Sequence, residues 1–383
     1  MTDEKNGWAI ESTGHIIHTE DSGYNWQDVT PPVEANQFYT YFLGFFALDD
    51  KTAWATAEKI VNCYPQTCNQ TSIRTAIIWH TNDGGKSWKA SQPIPTNVGH
   101  DGATLSVHHY YPVMIQFIDH QTGWLLIDGG ITTASGTGET VGAILLQTTN
   151  GGETWAIIND HYRNLYLPEA QNANLVGWAG FAFADSQTGW LGRNQFVHLD
   201  AIPVADIISA GGWKFLKTTD GGHSFSEAVI TTPGDFFHPD FVGQSVDCNV
   251  VKMLPIAVNT VGIQWSCIHK TFLYYFFSIT TDNGLSWNTW HTTWNEFFLD
   301  SKEGWRQPCT YAGALCPLEY TSDGGRTWTT LKKVNWFVSQ FDFVNTHTGW
   351  SLVIANDANG TKAFVYTTND GKTWVEIKPK VAK

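Results

Sequence analysis

An octet of the form Ser/Thr-x-Asp-x-Gly-x-Ser/Thr-Trp recurs seven times along the chain, and it constrains the fold more than any other feature. The copies run Thr19 to Trp26, Thr81 to Trp88, Thr148 to Trp155, Thr218 to Phe225, Thr280 to Trp287, Thr321 to Trp328 and Thr367 to Trp374. Departures are mild: Asn150 and Asn369 replace Asp, Asn25 replaces the hydroxyl residue, and Phe225 replaces Trp. A sequence that repeats itself at intervals of 41 to 70 residues is built from one supersecondary unit used again and again.

A second signature, aromatic-x-Asp-x-x-x-Gly-Trp, precedes the octets. It reads FIDHQTGW from Phe117, FADSQTGW from Phe183, FLDSKEGW from Phe298, FVNTHTGW from Phe343 and, more loosely, ALDDKTAW from Ala47. MTDEKNGW at Met1 aligns on it, and a degenerate copy lies around Val258 to Trp265. Segments between the turns, such as AILLQTT and AFVYTT, are short, β-branched and aromatic, without helical periodicity. Each unit therefore reads as strand A, a short turn, strand B at Gly-Trp, a connection, strand C, the octet as a tight turn, and strand D. The fold class expected is all-β: a seven-bladed β-propeller of four-stranded antiparallel blades, which limits the edge problem by radial repetition. One such propeller spans 1–383, its first blade lacking part of strand A.

The octet's chemistry predicts a structural role. Its acidic or amide residue (Asp21, Asp83, Asn150, Asp220, Asp282, Asp323, Asn369) can accept backbone N–H bonds within its own turn, and its Gly supplies a conformation other residues resist. The octet Trp is expected to pack the turn against the next sheet. Of 19 Trp, seven fall at the strand B position and six in octets, so thirteen are expected in the core.

These octets resemble the Asp-box, or BNR, repeats of sialidases, xyloglucanases, sortilin-type receptors and the photosystem II stability/assembly factor family. The two signatures together look most like the last. That resemblance implies a seven-bladed propeller without catalytic residues, an exported assembly scaffold. The arginine-rich partner-binding face of that family has no counterpart among Arg74, Arg163, Arg193, Arg306 and Arg326, the five arginines of the chain. The sialidase Arg-Ile-Pro signature is absent, and 383 residues supply one propeller where xyloglucanases close a cleft between two.

Charge narrows the partners. With 22 Lys+Arg against 36 Asp+Glu, the net charge of -14 repels a phosphate backbone, so nucleic acid is excluded as a partner. No apolar run approaches the ~20 residues of a membrane-spanning helix. The cysteines form three local groups, Cys63/Cys68, Cys248/Cys267 and Cys309/Cys316, read as three disulfides of an oxidising compartment. Location is thus expected to be extracellular or in the cell envelope, as a monomer. No signal peptide is visible at Met1; the reading preferred here is that export information lies upstream of this chain, the alternative being a three-stranded first blade.

Strand parity locates the binding face. The A–B turns and octets share one face, and the B–C and D–A connections share the other, where the long insertions fall: Ala57 to Ile73, Pro93 to Pro112, Asp128 to Gly142, Asn159 to Gly177, Asn194 to Gly212, Thr231 to Asp247 and Arg306 to Pro317. Loops carry function on rigid scaffolds. The binding candidates there are His108, His109, Tyr110 and Tyr111, then His161, Tyr162 and Arg163, then Phe236, Phe237 and His238. Rings flanked by acids suit a sugar or a protein surface. No spacing supports a metal site among these imidazoles, and no cofactor is expected. The leading expectation is a non-catalytic exported propeller binding a protein or glycan. The alternative is an Asp-box-type glycoside hydrolase, sialidase- or xyloglucanase-like, for which Asp101, Asp160, Asp235, Asp240 and Glu296 supply candidate carboxyls.

Overall fold

In the computed structural model, residues 1–383 are described except 33–37, 40–43, 62–72, 93, 95–105, 133–138, 161–177, 194–201, 204–211, 232–244, 258, 270–271, 293–294, 310–314, 357–358 and 383. The strands form seven sheets, the blades of an all-β propeller. Blade 3 shows the plan: Ser106–Phe117, Gly123–Thr132, Glu139–Thr148 and Ala156–Asp160 pair in sequence order as an antiparallel meander. Blades 4, 6 and 7 repeat it, and blades 2 and 5 add a short fifth strand. That of blade 5, Ile202–Pro203, is lent by the B–C connection of blade 4.

The octets fold alike. In blade 6, Thr321 Oγ1 donates to Asp323 Oδ1 at 2.8 Å and accepts from Gly325 N at 3.0 Å. The Asp323 carboxylate also accepts from Thr327 N (2.9 Å) and Thr327 Oγ1 (2.7 Å). These bonds to Thr327, side chain then backbone, outweigh desolvation and hold the Asp323 carboxyl down at about 2. Where Asn150 and Asn369 stand instead, the amide carbonyl accepts the backbone N–H and the amide NH2 donates to the hydroxyl, preserving the turn. The fourth and fifth octet positions both take positive φ, 71° and 81° at Gly324 and Gly325. A left-handed conformation at both positions is therefore the requirement: the fifth position is Gly in every copy, and the fourth is Gly or, in three copies, Ser22, Asn283 and Asp370.

Each octet turn is bonded to the A–B turn of its own blade, as in Gly151 N to Gln121 O and Gly324 N to Lys302 O, both 2.9 Å. The two kinds of turn share one face, as parity requires. The ties between blades come from the strand B tryptophans: Trp54 Nε1 donates to Gly151 O and Trp124 Nε1 to Gly221 O, each at 2.8 Å. The octet tryptophans donate within their own turn, as Trp26, Trp155, Trp328 and Trp374 do to their octet Gly carbonyl, or across to the neighbouring blade, as Trp88 does to Val29 O. Their rings pack on the adjacent sheet, as Trp328 does on Trp290 of blade 5. The first aromatic of the second signature stacks on the tryptophan of the preceding blade, as in Trp54–Phe117 (3.5 Å) and Trp305–Phe343 (3.7 Å). The signature Gly makes room for that ring: a Cβ on Gly349 would lie 2.4 Å from Phe343.

Blade 1 departs from the plan. Among the described residues its meander holds Gly7–Ile10, Ile16–Thr19 and Asn25–Asp28, and Lys380–Ala382 adds a fourth strand, parallel to the outer edge. Trp350 Nε1 donates to Ser22 O at 2.9 Å and Asn345 Nδ2 to Glu4 Oε1 at 2.9 Å, so blade 7 is tied to blade 1.

Several insertions read as loops are strand. His108, His109, Tyr110 and Tyr111 lie within Ser106–Phe117, Tyr111 opposite Asp128 and Tyr110 opposite Gly129. Asp160 closes Ala156–Asp160, opposite Ile144. Backbone pairing, available wherever two β-branched and aromatic segments flank a connection, extends the hairpins into what composition alone presents as loop.

Candidate functional site

Of the carboxyl candidates, Glu296 is the one whose side chain lies among the described residues. It opens strand A of blade 6, Glu296–Phe298, and pairs with Arg306, which ends strand B; Arg306 in turn pairs with Glu319 on strand C. Residues directly opposite in an antiparallel sheet point to one face. Period-two alternation puts Phe298 on that same face, and Phe298 packs 5.9 Å from Trp290 of blade 5. The row Glu296–Arg306–Glu319 therefore faces the seam between blades 5 and 6, at the last A–B ladder position before the chain leaves for the connection-bearing face.

The Glu296 carboxyl has two unlike oxygens. Oε1 accepts from Trp290 Nε1 at 2.8 Å, whereas Oε2 is shielded from solvent with no hydrogen-bond partner among the described residues. Desolvation raises the Glu296 pKa to about 7, against the lowering effects of the Thr292 hydroxyl, the Trp290 indole and the Arg306 charge. A carboxyl near pH 7 can hold or release a proton under ordinary conditions. Arg306 is committed elsewhere: its Nε donates to Glu319 Oε2 at 2.7 Å, and both side chains are largely covered, 18% and 15% exposed. Its guanidinium lies 4.3 Å from the Trp328 ring centroid. Trp290 and Trp328, both half-buried, stand edge to face at 6.1 Å. The arrangement is a neutral-leaning carboxyl and an arginine-bound carboxylate beside two indoles.

The connection above this row, between Arg306 and Cys316, is clamped by a Cys309–Cys316 disulfide with Cα atoms 5.8 Å apart. Cys267 is also disulfide-bonded, and Cys248 is its direct ladder partner. Cys63 and Cys68 lie outside the described residues, as do Asp101, Asp235, Asp240, His161, Tyr162, Arg163, Phe236, Phe237 and His238. His108 to Tyr111 and Asp160 belong to blade 3, away from the blade 5–6 seam. The octet residues Asp21, Asp83, Asp220 and Asp282 are consumed by their turns, each accepting the backbone N–H four residues on.

Sequence reasoning named Glu296 but missed Arg306, Glu319, Trp290 and Trp328. The signal was present: in FLDSKEGW the Phe pairs with the Gly, so the residue two before Phe298 faces the residue two after Gly304. Trp328 was set aside as an octet core residue, and Trp290 carried no motif at all.

No family model matches the chain, and no curated protein matches it. Among solved structures it resembles an α-L-arabinofuranosidase from Fusarium graminearum (11% identity, 90% of this chain and 95% of that one, TM-score 0.39). It also resembles a PL25 ulvan lyase (12%, 90% and 85%, TM-score 0.44) and the NanB sialidase of Streptococcus pneumoniae (8%, 90% and 70%, TM-score 0.41). At such identities the likeness is one of fold, and it assigns no residue a role. The leading expectation of a non-catalytic assembly scaffold is corrected and not carried forward, since these matching structures bear the names of an arabinofuranosidase, a polysaccharide lyase and a sialidase.

Proposed function

We propose that the chain cleaves glycosidic bonds in a carbohydrate, using the blade 5–6 seam. The observation that carries this reading is the row Glu296–Arg306–Glu319, in which one Glu296 oxygen has no partner among the described residues and the second carboxyl is ion-paired. Neutral Glu296 donates its proton to the leaving glycosidic oxygen. Glu319 takes a proton from the water that attacks the anomeric carbon, and exchange with solvent then restores both groups. Two strands separate the acids, about 10 Å at the backbone, which favours the wider inverting geometry of ~6.5 to 9.5 Å over direct nucleophilic attack. The Cys309–Cys316 disulfide supports an exported protein, where polymeric carbohydrate is the accessible substrate.

The test is a panel of oligosaccharides and polysaccharides incubated with the purified chain and scored for new reducing ends. Release that falls at least a hundredfold in Glu296→Gln and Glu319→Gln, with an unchanged fold, is the expected result. Release unaffected by either substitution, or absent across the panel, removes the proposal.

A further inference from the structure

On the face of the octets and A–B turns, the seam between blades 5 and 6 opens into a cavity of about 520 Å³. Its origin lies in strand register. In six blades a tryptophan stands opposite the residue that precedes the octet Thr, as Trp124 does opposite Gln147 and Trp305 opposite Tyr320. Four of these indoles donate to the carbonyl of the fourth octet residue in the next blade and so close the seam. In blade 5 that place is held by Gly262, opposite Ile279. Trp265 stands three residues later and packs in one cluster with Trp190 of blade 4, away from blade 6. Phe277 supplies the ring that stacks on Phe298, at 5.3 Å, and a Cβ on Gly262 would lie 2.6 Å from it. A phenyl ring has no N–H to send to the next octet, and Gly324 O instead accepts from Asn288 Nδ2 at 3.3 Å.

The walls around this gap are polar and cationic. Lys302, from the A–B turn of blade 6, and Arg326, from its octet, both line the cavity, and neither pairs with a carboxylate among the described residues. Arg326 Nη1 donates to Asp323 O at 3.1 Å, which leaves the rest of the guanidinium fork available. Cations at the same octet position elsewhere are offset by an acid: Lys86 by Glu20 at 3.7 Å and Lys372 by Asp370 at 2.6 Å. Glu20 is the second residue of the preceding blade's octet, and its counterpart beside Arg326 is the neutral Thr281, also in the cavity wall. The Asp323 carboxylate in that wall is taken up by Thr321 and Thr327. The hydroxyls of Thr281, Ser301 and Ser322 have no hydrogen-bond partner among the described residues.

We propose that this cavity is a binding site for a saccharide that carries a carboxylate. The carboxylate sits between Arg326 and Lys302, since the planar guanidinium fork matches its two oxygens, and the sugar hydroxyls bond to the free hydroxyls of the wall. The volume is that of a small-molecule site, ~300 to 1,000 Å³, larger than a simple anion needs. Binding here is independent of the proposed cleavage: Phe298 lies between Glu296 and the turn at Ser301, so the Phe277–Phe298 stack separates the cavity from the Glu296 row.

The probe is tetragalacturonate, titrated calorimetrically into the full chain, with its methyl ester as the uncharged counterpart. Saturable binding is expected, at least tenfold weaker for the ester and for the Arg326→Gln and Lys302→Gln chains, and unchanged in Glu296→Gln. Thr281→Glu places an acid where blade 1 has Glu20 and is expected to weaken binding at least tenfold while leaving the melting temperature near wild type. The proposal is overturned by no saturable binding, by equal affinity for the ester, or by full affinity in Arg326→Gln or Thr281→Glu. Loss of binding in Glu296→Gln would move the ligand to the carboxyl row and equally overturn it. Acetate binding as tightly as tetragalacturonate would reduce the cavity to a simple anion site, with the same consequence.

Discussion

Replacing Glu296 by Gln should change how stability depends on pH. In the unfolded chain a glutamate titrates near ~4.3, whereas in the folded chain Glu296 titrates at about 7. Because the folded pKa is the higher one, the folded state holds a proton that the unfolded state releases between these values. The contribution of Glu296 is therefore most favourable below ~4.3 and declines as pH rises toward 7. Each pH unit within that window is worth about 1.4 kcal/mol, so raising pH from 5.5 to 8.5 should cost the native chain about 2 kcal/mol through this group. Glutamine keeps an oxygen for the Trp290 indole and has no proton to lose, so Glu296→Gln should lack this component. Urea unfolding of both chains across that interval supplies the measurement. Parallel stability–pH curves would refute the reasoning, because they would mean that the Glu296 carboxyl is hydrated in the folded state rather than desolvated in the seam.

The octet turn gives a graded pair: Asp323→Ala, which removes the acceptor of the Thr321 and Thr327 bonds, should cost about 2 to 4 kcal/mol in urea unfolding, whereas Asp323→Asn, matching Asn150 and Asn369, should cost under about 1 kcal/mol. The depressed Asp323 pKa stabilises the chain above ~3.9, and this benefit should be lost as pH falls toward about 2, so the gap between Asp323→Asn and wild type should close in acid titrations while Asp323→Ala, without the acceptor, stays below both. Trp350→Phe removes the Nε1 bond to Ser22 and should lower stability by about 1 to 2 kcal/mol, checked by denaturant midpoint. Paired Cys309→Ser and Cys316→Ser substitutions reopen a connection with a sequence separation of 7 and should cost about 2 to 3 kcal/mol by the loop-entropy relation, again read from unfolding.

The fold was legible because its determinants are local. Seven octets state their own turn, with hydroxyl, carboxylate and two left-handed positions all within eight residues, and the Gly-Trp signature carries its strand register with it. Face assignment followed from strand parity alone. The site was legible only in part: Glu296 could be named as a carboxyl, but its raised pKa comes from desolvation in the seam with blade 5. Loop boundaries were misjudged at His108 to Tyr111 and at Asp160, since whether a segment continues as strand depends on a partner strand further along the chain.

The sequence by itself determined the number of blades, the octet turns and which turns share a face, because each of these is fixed by contacts within a few residues. Only the tertiary structure decided the rest. It brought Lys380–Ala382 parallel to Asn25–Asp28 and set Glu296 against the neighbouring blade's indole. Those outcomes arise where one blade meets another, and desolvation and shape at such a seam depend on side chains that no local pattern relates.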